Sequence, residues 1–330
     1  MRLSTSIVLC TCNGTRFLEA QWDSLLAQER PPDEIIVRDD ASSDDTWALL
    51  GGLSARAEER GIRVRLIRNE RNLGYVGNFE AALRDASGNV LFLCDQDDVW
   101  HPGKLAALTD AFERCSGLLL LCSDARRIDE GGANLRRSLF DVLKVSRTEL
   151  RRIHAGQGFR VLLRRSLATG ATVALRRTLL ADVLPFPAGW VHDEWLAIIA
   201  AALGGFDCVE RPLIDYRQHA GNQLGMSERS FAARWRGLLM PAAMPAAEAV
   251  EPLILRGRIL RGRLRLLKQS IPASDLARVD QKLQHLDARA ALTGTPWRRA
   301  GGVLRETVSG RYGRYAAGWH SALRDLLRGD

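Results

Sequence analysis

Three carboxylates crowd one turn of this 330-residue chain, where Asp95, Asp97 and Asp98 follow directly on the apolar run Asn89 to Cys94. Carboxylates that close repel one another unless a cation sits among them. Hard oxygen ligands that leave coordination positions open suit Mg2+ or Mn2+ bridging the phosphates of a substrate, so a diphosphate is the ligand to expect. Capping a helix takes one carboxylate, not three. Other apolar runs end in polar clusters too: Thr11-Cys12-Asn13-Gly14, Asp39-Asp40-Ala41-Ser42-Ser43-Asp44, and Asn69 followed by Asn72-Leu73-Gly74. No Gly-x-Ser-x-Gly element or Cys/His pairing supplies an obvious nucleophile.

Such clusters meet only if the runs before them are neighbouring strands of an open, mostly parallel sheet, in which ligands bind beyond the carboxyl ends. The first half of the chain has that alternation. Strands are expected at Leu3 to Thr11, Glu34 to Asp39, Val64 to Asn69, Asn89 to Cys94 and Leu118 to Ser123, with helical spacings between them. Ser43 or Asp44 can cap the second helix, and Pro102 starts the fourth. Further on, Ala171 to Leu175 reads as a strand, a helix starts near His192, and Cys208 to Tyr216 reads as another strand. After about residue 226 the pattern is helical, with Pro241, Pro245 and Pro252 expected to break it into a linker and a basic bundle.

Composition bounds the class. Hydrophobic residues at 46% and charged residues at 26%, with 29 Gly and 11 Pro, exclude a disordered, collagen-like or coiled-coil chain. The longest candidate for a membrane span, Leu238 to Leu255, is interrupted by Pro241, Pro245, Glu248, Glu251 and Pro252. The start runs at once into a strand pattern without a signal-peptide apolar region, which points to the cytoplasm. The six Cys fit reduced thiols there, most of them within apolar strand patterns. Residues 1–226 hold 28 Lys+Arg against 30 Asp+Glu, whereas residues 227–330 hold 19 against 9, so the entire positive excess is C-terminal. Leu253 to Leu267 interleaves Arg256, Arg258, Arg261, Arg263 and Arg265 with apolar residues, and Trp235, Trp297, Tyr312, Tyr315 and Trp319 lie around it. Peripheral docking of these helices on the inner face of the plasma membrane is one expectation, and a solvated bundle face is the other. No nucleic-acid-binding module accompanies the charge.

The segments Ser6 to Gly14, Ile35 to Asp44 and Cys94-Asp95-Gln96-Asp97-Asp98-Val99-Trp100 together resemble family 2 inverting glycosyltransferases with the GT-A fold. Within that family, Trp190-Val191-His192-Asp193-Glu194-Trp195-Leu196 and Tyr216-Arg217-Gln218-His219-Ala220-Gly221-Asn222-Gln223 resemble rhamnosyltransferase-like bacterial members, which build surface polysaccharide from dTDP-L-rhamnose. The resemblance implies an α/β GT-A domain over residues 1–225, with a nucleotide and metal half to about 125 and an acceptor half from 126. Residues 226–330 follow as a helical basic region. It implies a hexosyltransferase that moves a sugar from a dTDP- or UDP-sugar to a glycan or lipid-linked glycan, with Mg2+ or Mn2+.

By the same resemblance, Thr11, Cys12, Asn13, Asp40, Asn72, Gly74, Asn78, Asp95 and Gln96 bind the donor nucleotide, with Asp40 accepting from the N3–H of uracil or thymine. Asp95, Asp97 and His219 form the metal set, and Asp193 is the base. Asp98, Trp100, Gly170, Trp190, His192 and Glu194 lie near the acceptor or donor sugar. Glu194 rivals Asp193 as base, since helix neighbours point about 100° apart. Three other readings compete, one of them a sugar nucleotidyltransferase, which should carry a Gly-rich phosphate loop where Asn13-Gly14-Thr15-Arg16 stands. Asp95-Gln96-Asp97-Asp98-Val99 also fits the nucleophile loop of haloacid-dehalogenase-type phosphatases, although that loop normally follows a first strand. A non-catalytic polysaccharide- or membrane-binding adaptor on the same scaffold is the last.

Overall fold

The structure is a computed structural model that describes residues 2–221, 246–267 and 269–328. Asn222, Gln223, Trp235, Pro241 and Pro245 lie outside the described residues. Strands β1 (Thr5–Thr11) and β4 (Val90–Cys94) are buried at every position. Both faces are covered, which is why they read as continuous apolar runs rather than alternation. β2 (Glu34–Asp39) lies beside β1, and β3 (Arg63–Arg68) beside β2. β3 exposes Arg63, Arg65 and Arg68, the charged pattern of an edge strand that discourages pairing with another chain.

The remaining strands are β5 (Val99–Trp100), β6 (Leu120–Ile128), β7 (Asn134–Ser138), β8 (Val173–Arg176) and β9 (Phe206–Arg217). Among the described residues the sheet order is β3-β2-β1-β4-β8-β6-β9-β5, with β7 paired to β6. β1 to β4 are mutually parallel, as the alternation of strand and helix requires. β8 is antiparallel to both β4 and β6, and β5 is antiparallel to β9, so the second half makes the sheet mixed. The two-residue β5 and the polar β7 are too short or too mixed in pattern to be legible from periodicity.

Helices α1 (Thr15–Leu26), α2 (Thr46–Glu58), α3 (Gly74–Asp85) and α4 (Lys104–Arg114) follow the first strands. Each buries residues at helical spacing, such as Leu18, Trp22 and Leu25 in α1 and Leu105, Leu108 and Phe112 in α4. A fully buried Leu or Phe side chain contributes about 1.5–3 kcal/mol, so these stripes hold the helices to the sheet. α5 (His192–Ala202) is buried at every position except Glu194. That is the signature of a helix with protein on all sides.

The chain divides into two compact units, Met1–Gly158 with Leu167–His219, and Phe159–Ser166 with Ala220–Asp330. The second unit is helical in its described residues: α6 (Ala246–Leu266), α7 (Ala273–Ala290), α8 (Pro296–Val308), α9 (Arg311–Tyr315) and α10 (Trp319–Leu327). Pro252 does not break the chain as expected but sits inside α6. Its missing N–H costs one bond near the helix start, and its exposed ring disturbs no packing. Within this unit Lys282 Nζ donates to Leu163 O at 2.7 Å, which ties the short segment 159–166 to α7.

Candidate active site

The carboxyl ends of β1, β2 and β3 are wired to one another. Asp40 N–H donates to Thr11 O (2.8 Å) and Asn69 N–H to Asp39 O (2.8 Å), extending the ladder past the strands. Asp40 is buried, and its Oδ1 accepts from Asn69 Nδ2 (2.7 Å) and from Leu73 N–H (2.8 Å). Asn69 Nδ2 also donates to Asn78 Oδ1 (2.9 Å), and Asn78 Nδ2 to Arg38 O (3.0 Å). Asn72 Nδ2 donates to Asp40 O (3.2 Å), and Asn72 Oδ1 accepts from Gly74 N–H (2.9 Å). Asn13, at φ 51°, accepts from Ser43 N–H (2.9 Å). Cys12, Asn13, Asp40, Asn72 and Gly74 are thus brought to one shelf, while Thr11 and Asn78 brace it from inside. Burial, with Asp40 and Asp39 nearby, raises the Cys12 thiol, so it stays protonated rather than becoming a nucleophile.

Gln96 joins this shelf to the acidic turn. Cys12 N–H donates to Gln96 Oε1 (2.8 Å) and Gln96 Nε2 donates to Cys12 O (3.0 Å), so its amide is occupied by backbone. A Cβ at Gly14 would lie 2.1 Å from Gln96 Oε1, so a larger residue there would displace the Gln96 amide from Cys12.

The turn itself separates its three acids. Asp97 is 15% exposed and its Oδ2 lies 2.8 Å from Nε2 of His219, which is 14% exposed. Asp95 is half-buried, and enclosure, then Asp97 and Asp193, raise its carboxyl to about 7. Asp98 is turned inward and fully buried, with Oδ1 accepting from Arg217 N–H at 3.0 Å. Burial, then Asp97 and Asp95, push it well above the usual carboxylate range. Trp100 is likewise buried, below the turn.

β5 explains how the late motif arrives: Val99 pairs with Asp215, which sets Tyr216, Arg217 and His219 across from the acids. Arg217 Nε donates to Asp97 O (2.8 Å), and its guanidinium lies 4.7 Å from the Phe17 ring, which packs 5.0 Å from His219. Lys104 is fully buried beneath the turn, its Nζ donating to Ala171 O (2.8 Å) and resting 3.6 Å from the Trp100 ring. Burial lowers it to about 7 against the pull of Cys94, Asp98 and Asp95. Tyr216 is raised by burial, then by the charges of Asp98, Asp95, Asp97 and Asp193.

Asp193 stands on the first turn of α5. Its Oδ2 accepts from Gly170 N–H (2.8 Å) and its Oδ1 from Glu194 N–H (2.6 Å). Burial, then the neighbouring Glu194, raise it to about 7. His192 is buried, stacked on Phe79 at 4.4 Å, with Tyr75 and Phe186 around it, and burial lowers it to about 3. Trp190 packs edge-on against Trp195 at 5.2 Å. Tyr75 is raised by burial, then by the charges of Asp193 and Glu194.

Tyr75, Lys104, Tyr216 and Arg217 were not among the site residues expected from sequence. Tyr216 and Arg217 stood inside a quoted motif, and Lys104 is one of just four Lys in the chain, but nothing local marks Tyr75. Gly170 was expected near the sugars, and its geometry gives a test. A Cβ there would lie 3.0 Å from His192 Nε2 and 3.8 Å from Asp193 Oδ2. Because the Phe79 stack holds the imidazole, Gly170→Ala should destabilise by about 1–3 kcal/mol through overpacking. It should also lower turnover while leaving nucleotide affinity unchanged, as read from thermal melts and steady-state kinetics.

The donor set fits a hard divalent cation. Asp97 and His219 form a half-buried carboxylate–imidazole pair at 2.8 Å, with Asp95 two residues away on the same turn, and burial followed by the Asp97 charge raises Asp95. The sequence profile of Glycosyl transferase family 2 matches residues 6–184, more than half of the chain, and the chain belongs to that family. An uncharacterized glycosyltransferase from Nostoc sp. is 25% identical over 232 residues, covering 67% of this chain, which in turn spans 66% of that relative's length. The Escherichia coli enzyme WfaP, named a UDP-Glc:α-D-GlcNAc-diphosphoundecaprenol β-1,3-glucosyltransferase, is 31% identical over 101 residues, 31% of this chain and 38% of its own. The mannosyltransferase PcManGT from Pyrobaculum calidifontis, solved with GDP-Man and Mn2+, shares the fold at a TM-score of 0.52 and 17% identity, over 98% of this chain and 79% of its own. The GT-A-like α/β architecture with a helical C-terminal region expected from the sequence is therefore present, and the family assignment displaces the phosphatase reading.

Proposed function

We propose that this chain transfers a hexosyl group with inversion from a pyrimidine nucleotide diphosphate sugar to a glycan hydroxyl. The first donor to test is dTDP-L-rhamnose, and the acceptor is lipid-linked, in surface polysaccharide synthesis on the cytoplasmic side of the membrane. The observation that carries the reading is the buried Asp193 carboxyl held by Gly170 N–H, one residue from Ala171, whose carbonyl accepts from the Lys104 buried beneath the acidic turn. Residues 1–225 form the transferase domain in this reading, and 226–330 an appendage.

In the reaction the acceptor oxygen attacks the anomeric carbon as its proton passes to Asp193, and the bond to the phosphate oxygen breaks with its electron pair leaving on the nucleoside diphosphate. Gly170 N–H and Glu194 N–H orient the base by holding both its oxygens. Asp97, Asp95 and His219 would hold Mg2+ or Mn2+, which when bound offsets charge on the leaving diphosphate. The shelf of Cys12, Asn13, Asp40, Asn72 and Gly74 receives the nucleoside, and Trp190 and His192 shape the floor under the sugars.

A UDP-sugar is the second reading, favoured by the UDP-Glc in the name of WfaP. A thermal-shift and calorimetric panel tests both. dTDP or UDP should bind only with Mn2+ or Mg2+ present, with a stabilisation of about 2.7 kcal/mol at a hundred times Kd. The sugar that gives metal-dependent turnover identifies the donor. Failure of both nucleotides to bind at millimolar concentration with metal present would sink the proposal.

A further inference from the structure

α8 and α10 each bury a mixed polar and apolar face and leave an apolar row exposed on the outside. In α8 the inner face is Arg299, Val303 and Glu306. Trp297 (89% exposed), Leu304 and Val308 stand on the outside. At 100° per residue these three fall within about 40° of one another, opposite the buried row. In α10 the inner face holds Ser321, Ala322 and Asp325, while Trp319 (65% exposed), Leu323 and Leu327 form an outer row. Single exposed apolar residues are ordinary, but two aligned rows on helices in mutual contact are not.

The helices cannot roll to bury those rows, because polar pairs lock their inner faces. Glu306 Oε2 lies 2.7 Å from His285 Nδ1, Arg289 Nε donates to Asp325 Oδ2 at 2.6 Å, and Tyr312 O–H donates to the same oxygen at 2.9 Å. Glu306 and Asp325 are also the only acids of α8 and α10, and both are buried. The outer faces therefore carry no negative charge. Arg298 and Arg305 flank the α8 row, within a region of 19 Lys+Arg against 9 Asp+Glu.

We propose that the outer faces of α8 and α10 dock this chain on an anionic lipid bilayer surface. Tryptophan at both rows suits the boundary between headgroups and acyl chains. The flanking arginines are attracted to acidic headgroups, each contributing about fivefold in affinity. A second copy of the chain is a poorer occupant, since two such basic faces repel each other. The sequence pattern pointed to Leu253 to Leu267 for this contact. In the structure that stretch of α6 turns Leu260 and Leu264 inward and leaves Leu253, Leu255 and Leu266 exposed. The inference is independent of donor and acceptor, and its test uses no sugar.

The full chain is co-sedimented with vesicles of phosphatidylcholine alone and of phosphatidylcholine mixed with phosphatidylglycerol. Binding is expected to the mixed vesicles and to weaken with salt. Trp297→Glu combined with Trp319→Glu should weaken it by about tenfold or more. Arg298→Gln with Arg305→Gln should weaken it by about fivefold per residue. All four side chains lie outside the buried core, so circular dichroism should be unchanged in both variants. The proposal is overturned if wild-type chain stays in solution with the anionic vesicles or if the tryptophan variant binds equally well. It is also overturned if light scattering shows a dimer that this variant dissolves, because the rows would then be a protein interface.

Discussion

Asp193→Asn is expected to lower turnover by about 10²–10⁴-fold, the usual contribution of a positioned general base, with nucleotide affinity nearly unchanged. The acid-side limb of the rate profile is the sharper readout. A base works only when deprotonated, and burial raises this carboxyl to about 7. Wild-type turnover should therefore climb as pH rises through about 7 and level off above it, while the variant loses that limb. The amide has one acceptor oxygen where the carboxylate presents two to Gly170 N–H and Glu194 N–H. One backbone donor is left facing an NH2 group, which should cost about 1–3 kcal/mol in a thermal melt. Glu194→Gln is the control and should be mild. If Glu194→Gln abolishes turnover while Asp193→Asn spares it, the two acids exchange roles.

Asp97→Ala is expected to remove Mn2+ binding and turnover together while the fold persists. Altering only the outer partners of a metal site costs about 10–100-fold in affinity, so loss of a direct ligand should exceed that. The substitution also strips His219 of its partner at 2.8 Å and relieves Asp95 of its largest repulsive neighbour. Asp95 should then titrate nearer the ordinary carboxylate range. Calorimetry or electron paramagnetic resonance of Mn2+ with the apo chain reads the affinity directly. Unchanged Mn2+ binding in Asp97→Ala would remove this residue from the metal set.

Much of the first half was legible because burial on both faces of β1 and β4 leaves an apolar run that only a central strand explains. The carboxyl-end clusters followed from those runs. The second half was less legible, since β8 returns antiparallel between β4 and β6 with no helix period to announce it. Three neighbouring acids look equivalent on paper. In the structure Asp97 meets His219, Asp95 stays half-buried at the turn, and Asp98 is drawn under it by Arg217 N–H. β5 pairing with β9 makes that division, and a two-residue strand leaves no periodicity to read.

What the amino-acid sequence determined unaided is the chemistry on offer: which strand ends carry carboxylates, that two adjacent acids open a late helix, and that the positive charge is C-terminal. These are properties of residue type and spacing along the chain. Tertiary structure alone decided the environment of each group. Gly170 N–H and Glu194 N–H hold the oxygens of Asp193, Lys104 lies under the acids on the Trp100 ring, and Trp297 and Trp319 face outward although their helices also build a core. Desolvation and charge proximity depend on atoms far apart in sequence, and they set the protonation of these groups and which apolar faces remain uncovered.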